Sequence, residues 1–264
     1  MADIVGFCNI AALPIRIQGS HRTEMVSQLL FGEAYEIVSQ EGEWCKIKTL
    51  FDNYEGYIET KQIVLMHPSA YQECYAMPLV ADSPTMVCDK TRNCSFWVPQ
   101  GSSLPIRNLQ SHIIQLGAEQ FEVPNISTTY RQADLGCNFD GMIEKNVLSF
   151  LNAPYLWGGR TIFGIDCSGF VQIVFKIIGK SLPRDASQQV RCGEDIKLPQ
   201  ARIGDVAFFA NGDGKIVHVG ILLGEGKIIH ASGKVRIDKI DEKGIFCIER
   251  NEYSHSLHSV KRLL

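Results

Sequence analysis

A chain of 264 residues, 45% hydrophobic and 21% charged, is long enough for two or three domains and has an ordinary globular composition. Its formal net charge of −3, without a basic stripe, excludes a general attraction to nucleic acid or to an anionic membrane surface. No uninterrupted apolar run approaches the roughly 18 residues of a membrane span.

The N-terminus, Met-Ala-Asp-Ile-Val-Gly-Phe-Cys, lacks a basic start, an apolar stretch and a small-residue cleavage site. The expectation is a cytoplasmic protein if the chain is complete, and a periplasmic or extracellular one if a signal was removed. Nine cysteines, at 8, 45, 74, 88, 94, 137, 167, 192 and 247, include no CxxC pair. A zinc ribbon or thioredoxin-like site is therefore not expected, and free thiols in a reducing compartment are.

Residues 1–65 read as short strands. Gly32–Ser39 and Trp44–Lys48 alternate across a Glu-Gly turn at 41–42, and Asp52–Ile58 is a turn followed by a third strand. Alternation with tight polar turns predicts a small antiparallel barrel. The order of Gly-Glu, Trp and Gly-aromatic along this stretch resembles bacterial SH3-like domains. Ahead of the barrel core, His21–Gly32 reads as a surface loop, with Glu24 as a solvated charge.

Residues 66–127 carry a weaker pattern. Strands are expected within Tyr75–Val87, Cys94–Pro99 and Ile113–Leu116, with a turn at Gly101–Pro105, giving a second SH3-like domain. Cys74, Cys88 and Cys94 have no histidine at ligand spacing. With no convergent polar cluster, this domain is expected to be a structural spacer.

From 128 to 264 the pattern becomes α+β. Asp140–Leu151 is predicted as a helix with Met142, Ile143, Val147, Leu148 and Leu151 inward. A glycine-rich loop, Pro154 to Gly164, leads to Cys167 at the start of a second helix. That helix buries Phe170, Val171, Val174, Phe175, Ile177 and Ile178 and stops at Gly179. Its first turn offers unpaired N–H groups and the positive end of the dipole, which lowers a thiol's pKa. The plain alternative is a small packing residue. Leu182–Gln189 is a loop entering a short helix, and strands follow at Gly204–Phe209, Ile216–Leu223 and Lys227–Ser232.

The last two strands form a hairpin with its tip at Gly224-Glu225-Gly226. A register centred on Gly224 sets His218 opposite His230 on one face, close enough for the rings to touch. Two independent strand histidines are one reading and a metal pair another, although no third histidine or carboxylate is in register for a catalytic zinc. With Cys167 added, the three read as one machine: nucleophile, base and orienting residue. The Cys167 N–H suits an oxyanion hole, with the Tyr155 hydroxyl as a second donor. No metal or organic cofactor is needed, since the thiolate supplies the nucleophile.

The motifs "PYLWGG", "G.DCSGF", "LPRDASQQ", "GDVAFF", "HVGILLG" and "IIHASG", in this order over about residues 140–264, resemble the NlpC-type cell-wall cysteine peptidases. The resemblance implies an α+β architecture, a papain-like catalytic domain preceded by two small SH3-like β-barrels, with a Cys167, His218 and His230 triad. At the front, "EMVSQLLFGE" and "DNYEGYI" resemble γ-D-glutamyl-L-diamino acid endopeptidases of the dipeptidyl-peptidase VI type. That group cuts the bond between γ-D-Glu and a diamino acid when L-Ala has a free amine, and its first barrel closes one end of the cleft. The resemblance carries amine binding onto Glu24 and a wall onto Tyr54 or Tyr57. It places Trp157, Asp166, Ser168, Arg184, Asp185 and Ser187 at the substrate, although a structural salt link is an equal reading for the Arg184–Asp185 pair. The partner so implied is a murein tripeptide or tetrapeptide, L-Ala-γ-D-Glu-diamino acid, with diaminopimelate or lysine third. The alternatives are a non-catalytic wall-binding SH3-like protein, a general hydrolase acting on polymeric peptidoglycan, and an acyltransferase on the same Cys–His fold.

Overall fold

The computed structural model describes residues 5–66, 79–106, 110, 112–125, 129–130 and 139–263. The chain separates into two compact units, 1–135 with 179–181, and 136–178 with 182–264. Among the described residues no helix is long and apolar enough to cross a membrane.

The first unit opens with β1 (Val5–Phe7), β2 (Ala12–Arg16), β3 (Met25–Leu30), β4 (Ala34–Glu41), β5 (Trp44–Thr49), β6 (Glu55–Glu59) and β7 (Val64–Met66), in one antiparallel sheet ordered β3-β2-β6-β5-β4-β1-β7. The period-2 pattern works as expected: Cys45 and Ile47 on β5 and Ile58 on β6 turn inward. They meet Leu13, Ile15, Leu29 and Tyr35 in the barrel core. The stretch His21–Gly32 is a surface loop only in its first part, because Met25–Leu30 is a sheet strand paired with β2. The Gly-Glu pair has a structural use here. Glu33 is buried, and its Oε2 accepts the Leu30 N–H at 2.8 Å.

A second set of strands follows: β8 (Leu79–Ala81), β9 (Thr85–Asp89), β10 (Cys94–Val98), β11 (Ser103–Leu104), β12 (Ile113–Leu116), β13 (Glu119–Glu122) and β14 (Thr129–Tyr130). They form sheets ordered β10-β9-β13-β12 and β11-β8-β14. Of the strands expected within Tyr75–Val87, the described residues hold β8 and the start of β9, separated at Asp82–Pro84, and the expected turn at Gly101–Pro105 includes β11. Cys74 and residues 75–78 lie outside the described residues. Cys88 is half-buried and Cys94 is exposed, and both are free thiols. The second set is not a free-standing bead. Phe7, Phe31 and Met66 of the first barrel share one apolar core with Val87, Leu104, Ile114 and Phe121, and the Ser103 N–H donates to Phe31 O at 2.9 Å.

The second unit carries α1 (Phe139–Ser149), β15 (Arg160–Thr161), β16 (Gly164–Ile165), α2 (Cys167–Ile177), α3 (Ala186–Gln189) and strands β17 (Glu194–Ile196), β18 (Val206–Ala210), β19 (Ile216–Gly224), β20 (Lys227–Ser232), β21 (Lys234–Asp241), β22 (Gly244–Cys247) and β23 (Glu252–Arg262). The strands order as β17-β23-β18-β19-β20-β21-β22, and β22 pairs back onto β23, so the sheet closes on itself. Two helix expectations need correction. Among the described side chains of α1 the buried ones are Ile143, Asn146 and Val147, followed by Phe150. Leu148 and Leu151 are exposed, since the 3.6-residue stripe runs through 143, 146, 147 and 150. And α2 is buried on all sides, Gln172 and Lys176 included, before Gly179 with φ +80° ends it.

Candidate active site

Cys167 occupies the first position of α2, as its sequence context predicts. Asp166 is the N-cap, and its Oδ1 accepts the Gly169 N–H at 2.7 Å. The same carboxylate organises three chain segments. Its Oδ2 accepts the Gly158 N–H at 2.8 Å, and its two oxygens take Arg184 Nη1 (3.0 Å) and Nη2 (2.5 Å). Arg184 Nη1 also donates to Ser168 Oγ at 2.9 Å. Asp166, Ser168 and Arg184 are all buried. Their contacts therefore hold the glycine-rich loop and the 182–189 segment against the start of α2. The partner of Arg184 is Asp166, not the adjacent Asp185. Asp185 instead begins α3, where its N–H donates to Gln188 Oε1 at 3.4 Å. Gln189 completes the tie, with Nε2 donating to Ser168 O (3.0 Å) and Pro183 O (2.9 Å). Ser187 and Trp157 are exposed.

Backbone N–H groups of Val219 and Ser168 point at the Cys167 sulfur. The sulfur thus lies against β19, beside the residue that follows His218. The expectation of a depressed thiol pKa is not met. Burial, with Asp166 adding to it, pushes the thiol up to about 12, against the pull of Arg184 and the two N–H groups. His218 moves the other way: burial first, then His255, His230 and Arg236, hold its pKa well below the ordinary histidine value. Burial thus works against the charged form of both the thiol and the imidazole. Tyr155 is half-buried in the loop that runs along Gly233, to whose carbonyl its N–H donates at 3.0 Å. Burial, then Cys167 and Asp166, raises its phenol to about 12. It is a neutral donor near the nucleophile.

The histidines meet, but by a different register from the one predicted. Glu225 and Gly226, both at positive φ, make a two-residue turn that pairs Gly224 with Lys227. Continued without interruption, that register would put His218 and His230 on opposite faces. A bulge at Leu223 takes up one residue, so Leu222 faces Ile228 and His230 faces Gly220. His218 lies two positions along on the same face, and its Nε2 is 2.8 Å from His230 Nδ1. Gly220 leaves the space directly across from His230: a Cβ there would fall 2.8 Å from that of His230.

The sequence reading missed three neighbours of this pair. Asp238 Oδ2 is 3.1 Å from His230 Nε2, Arg236 Nε donates to the same oxygen at 2.9 Å, and His255 stacks on His218 with centroids 4.1 Å apart. The signal for the first two was the alternation Arg236-Ile237-Asp238 on the strand next to His230. Asp238 and His255 thus lie beside the pair, although the cross-strand partner of His230 on β21 is Arg236. Even so, among the described residues no group of three or more His, Cys, Asp or Glu is placed to hold a metal ion.

The other predicted residues belong to the first unit. Glu24 is exposed just before β3, and its carbonyl accepts the Ile17 N–H at 3.0 Å. Tyr54 follows the turn at Asp52-Asn53, with its N–H on Thr49 Oγ1 at 2.8 Å, and Tyr57 lies on β6 opposite Lys46 and Arg16. Both tyrosines are half-buried.

Comparison with known proteins gives a consistent result. The model of the NlpC/P60 family matches residues 152–246, which include Cys167, His218, His230 and Asp238. The model of the bacterial dipeptidyl-peptidase SH3 domain matches residues 15–63, which include Glu24, Tyr54 and Tyr57. The gamma-D-glutamyl-L-lysine dipeptidyl-peptidase of Bacillus subtilis (strain 168) is 30% identical over 224 residues, covering 78% of this chain and 71% of its own. The protein of the same name from Bacillus cereus is 28% identical over 229 residues, covering 80% and 68%. The crystal structure of an NlpC/P60 family protein from Bacillus cereus ATCC 10987 shares the fold, with a TM-score of 0.82 over 98% of this chain and 99% of that one, at 21% identity. With a buried cysteine at a helix start against a paired-histidine strand, and a relative of this similarity along most of its length, the chain belongs to the NlpC/P60 family of cysteine peptidases.

Proposed function

We propose that this peptidase acts on peptidoglycan peptides, hydrolysing the bond between γ-D-Glu and a diamino acid in free murein peptides that begin with an unblocked L-Ala, as in peptidoglycan recycling or turnover. The observation that carries the reading is the alignment of the gamma-D-glutamyl-L-lysine dipeptidyl-peptidase of Bacillus subtilis over 78% of this chain, which exceeds what the catalytic unit alone provides. In this reading Cys167 Sγ attacks the scissile carbonyl while its proton passes to His218. His230 orients His218. The Cys167 N–H and the Tyr155 hydroxyl receive the oxyanion, and the C–N bond breaks as His218 returns the proton to the leaving amine. Water then hydrolyses the thioester. Trp157, Asp185 and Ser187 border the peptide, and the amine-binding role that the resemblance carries onto Glu24, with Tyr54 or Tyr57 beside it, is what a blocked substrate amine tests. Asp166, Ser168 and Arg184 act through the loop and helix start that they join.

The test is a comparison of L-Ala-γ-D-Glu-diaminopimelate with its N-acetyl form. One charge-assisted hydrogen bond is worth about 1.5–3 kcal/mol, so acetylation is expected to lower kcat/KM by roughly 10–100-fold or more. Glu24→Gln is expected to narrow that ratio. Equal rates on both peptides would remove Glu24 from its role and favour a hydrolase of polymeric peptidoglycan.

The close approach at Gly220 makes a second expectation. Gly220→Ala brings a Cβ within 2.8 Å of both His230 Cβ and Ile228 Cδ1, so His230 must shift. Misplacing a catalytic group by about 1 Å costs on the order of 10²-fold. The loss is expected in kcat with KM little changed, and a normal kcat would show that His230 does not need its present position.

A further inference from the structure

Three adjacent strands present one polar row on a common face. β19 contributes His218, β20 contributes His230, and β21 contributes Arg236 and Asp238, with His230 directly opposite Arg236. His218, His230 and Asp238 are all buried. Bulk water therefore does not choose which ring nitrogen carries each proton, and the hydrogen-bond partners must. Asp238 is an acceptor at both oxygens. Oδ1 takes the Ile248 N–H at 3.0 Å, and Oδ2 takes Arg236 Nε at 2.9 Å. Arg236 is itself held, with Nη2 at 3.3 Å from Cys247 Sγ and Nη1 at 3.8 Å from Glu249. Arginine has no acceptor and does not lose its proton, so Asp238 meets only donors on those sides.

The consequence passes along the row. Facing Asp238 Oδ2 at 3.1 Å, His230 Nε2 must carry its proton. Its Nδ1 is then a bare acceptor, and it lies 2.8 Å from His218 Nε2. That nitrogen must be the donor, which leaves the lone pair of His218 on Nδ1. We propose that Asp238, held by Arg236, is a positioning residue that fixes the tautomers of both histidines and so makes Nδ1 the basic atom of His218. This inference rests on the assignment of Cys167, His218 and His230 as the catalytic set. Without Asp238 the row has a second solution, with both rings protonated on Nδ1 and the lone pair of His218 on Nε2, where His230 takes it up. His255 has a separate part: stacked on His218, with its own pKa lowered by burial to about 4, it covers the ring as a neutral group.

The first measurement needs no variant and no turnover. In the full chain labelled with ¹⁵N-histidine, long-range ¹⁵N–¹H correlations near neutral pH are expected to show both His218 and His230 protonated at Nε2. A proton on Nδ1 of either ring overturns the proposal. The second uses Asp238→Asn, which keeps the shape but adds an N–H donor. It is expected to shift the histidine signals toward the Nδ1–H form and to lower kcat by roughly 10²–10⁴-fold with KM little changed, as when the carboxylate of a hydrolase triad becomes an amide. Wild-type tautomers together with wild-type kcat in that variant would also overturn it. If the variant does not fold, the wild-type spectrum decides. The spectrum also stands apart from the triad assignment, which falls if Cys167→Ala retains activity.

Discussion

Cys167→Ala is expected to abolish release of L-Ala-D-Glu from the tripeptide, by roughly 10⁴-fold or more, the scale on which removal of a triad nucleophile acts. The side chain loses only its sulfur, and the helix start is held by the Asp166 cap and the Arg184 pair rather than by the thiol. The melting temperature is therefore expected to stay within about 3 °C of wild type. Turnover that survives in a folded variant would exclude Cys167 as nucleophile. The raised thiol pKa adds a chemical expectation. An alkylating reagent without affinity for the site should react slowly with Cys167, since burial holds the thiol protonated. A substrate-like electrophile that places its carbonyl at the Cys167 N–H and the Tyr155 hydroxyl should react faster.

Arg184→Met is expected to have the largest effect on stability. The Arg184–Asp166 pair is bidentate, with side chains 1% and 6% exposed. Removing one member strands a carboxylate beneath the α2 start, and breaking a buried pair costs about 3–5 kcal/mol. Arg184→Lys should cost less, though one ammonium cannot meet both Asp166 oxygens and Ser168 Oγ in the same geometry. Asp166→Asn added to Arg184→Met should recover part of the loss by removing the unpaired charge. Hydrogen exchange of the α2 amides is the suitable measurement, because it reads opening of the second unit without assuming that both units unfold together. A change below about 1 kcal/mol would mean that water replaces the guanidinium at little cost.

Activity is expected to fall along with stability in these variants, for a geometric reason. Asp166 receives the Gly158 N–H and the Arg184 fork while capping the helix that begins with Cys167. Loss of any one contact loosens the nucleophile's helix start and the loop carrying Tyr155 together.

Much of this protein is legible in its amino-acid order. Period-2 alternation marks the strands from Trp44 to Ile58, because a barrel wall buries every second side chain. Cys167 at a helix start, and two histidines an even number of residues apart across a hairpin, follow from local pattern, as do the motifs that resemble the NlpC-type peptidases. Three matters were decided only by the tertiary structure. The first is register. The bulge at Leu223 sets His218 diagonal to His230, and a one-residue irregularity leaves no mark in hydrophobic periodicity. The second is charge. A helix start favours a thiolate when solvent reaches it, but an α2 buried on all sides makes desolvation the larger effect, and the thiol rises instead. The third is partnership across distance in the chain. Arg184 pairs with Asp166 rather than with its neighbour Asp185, and Asp238 and His255 join the histidines from separate strands. Local sequence determines which residues can do chemistry. Closure of the sheet determines which of them meet, and burial determines how readily each takes a charge.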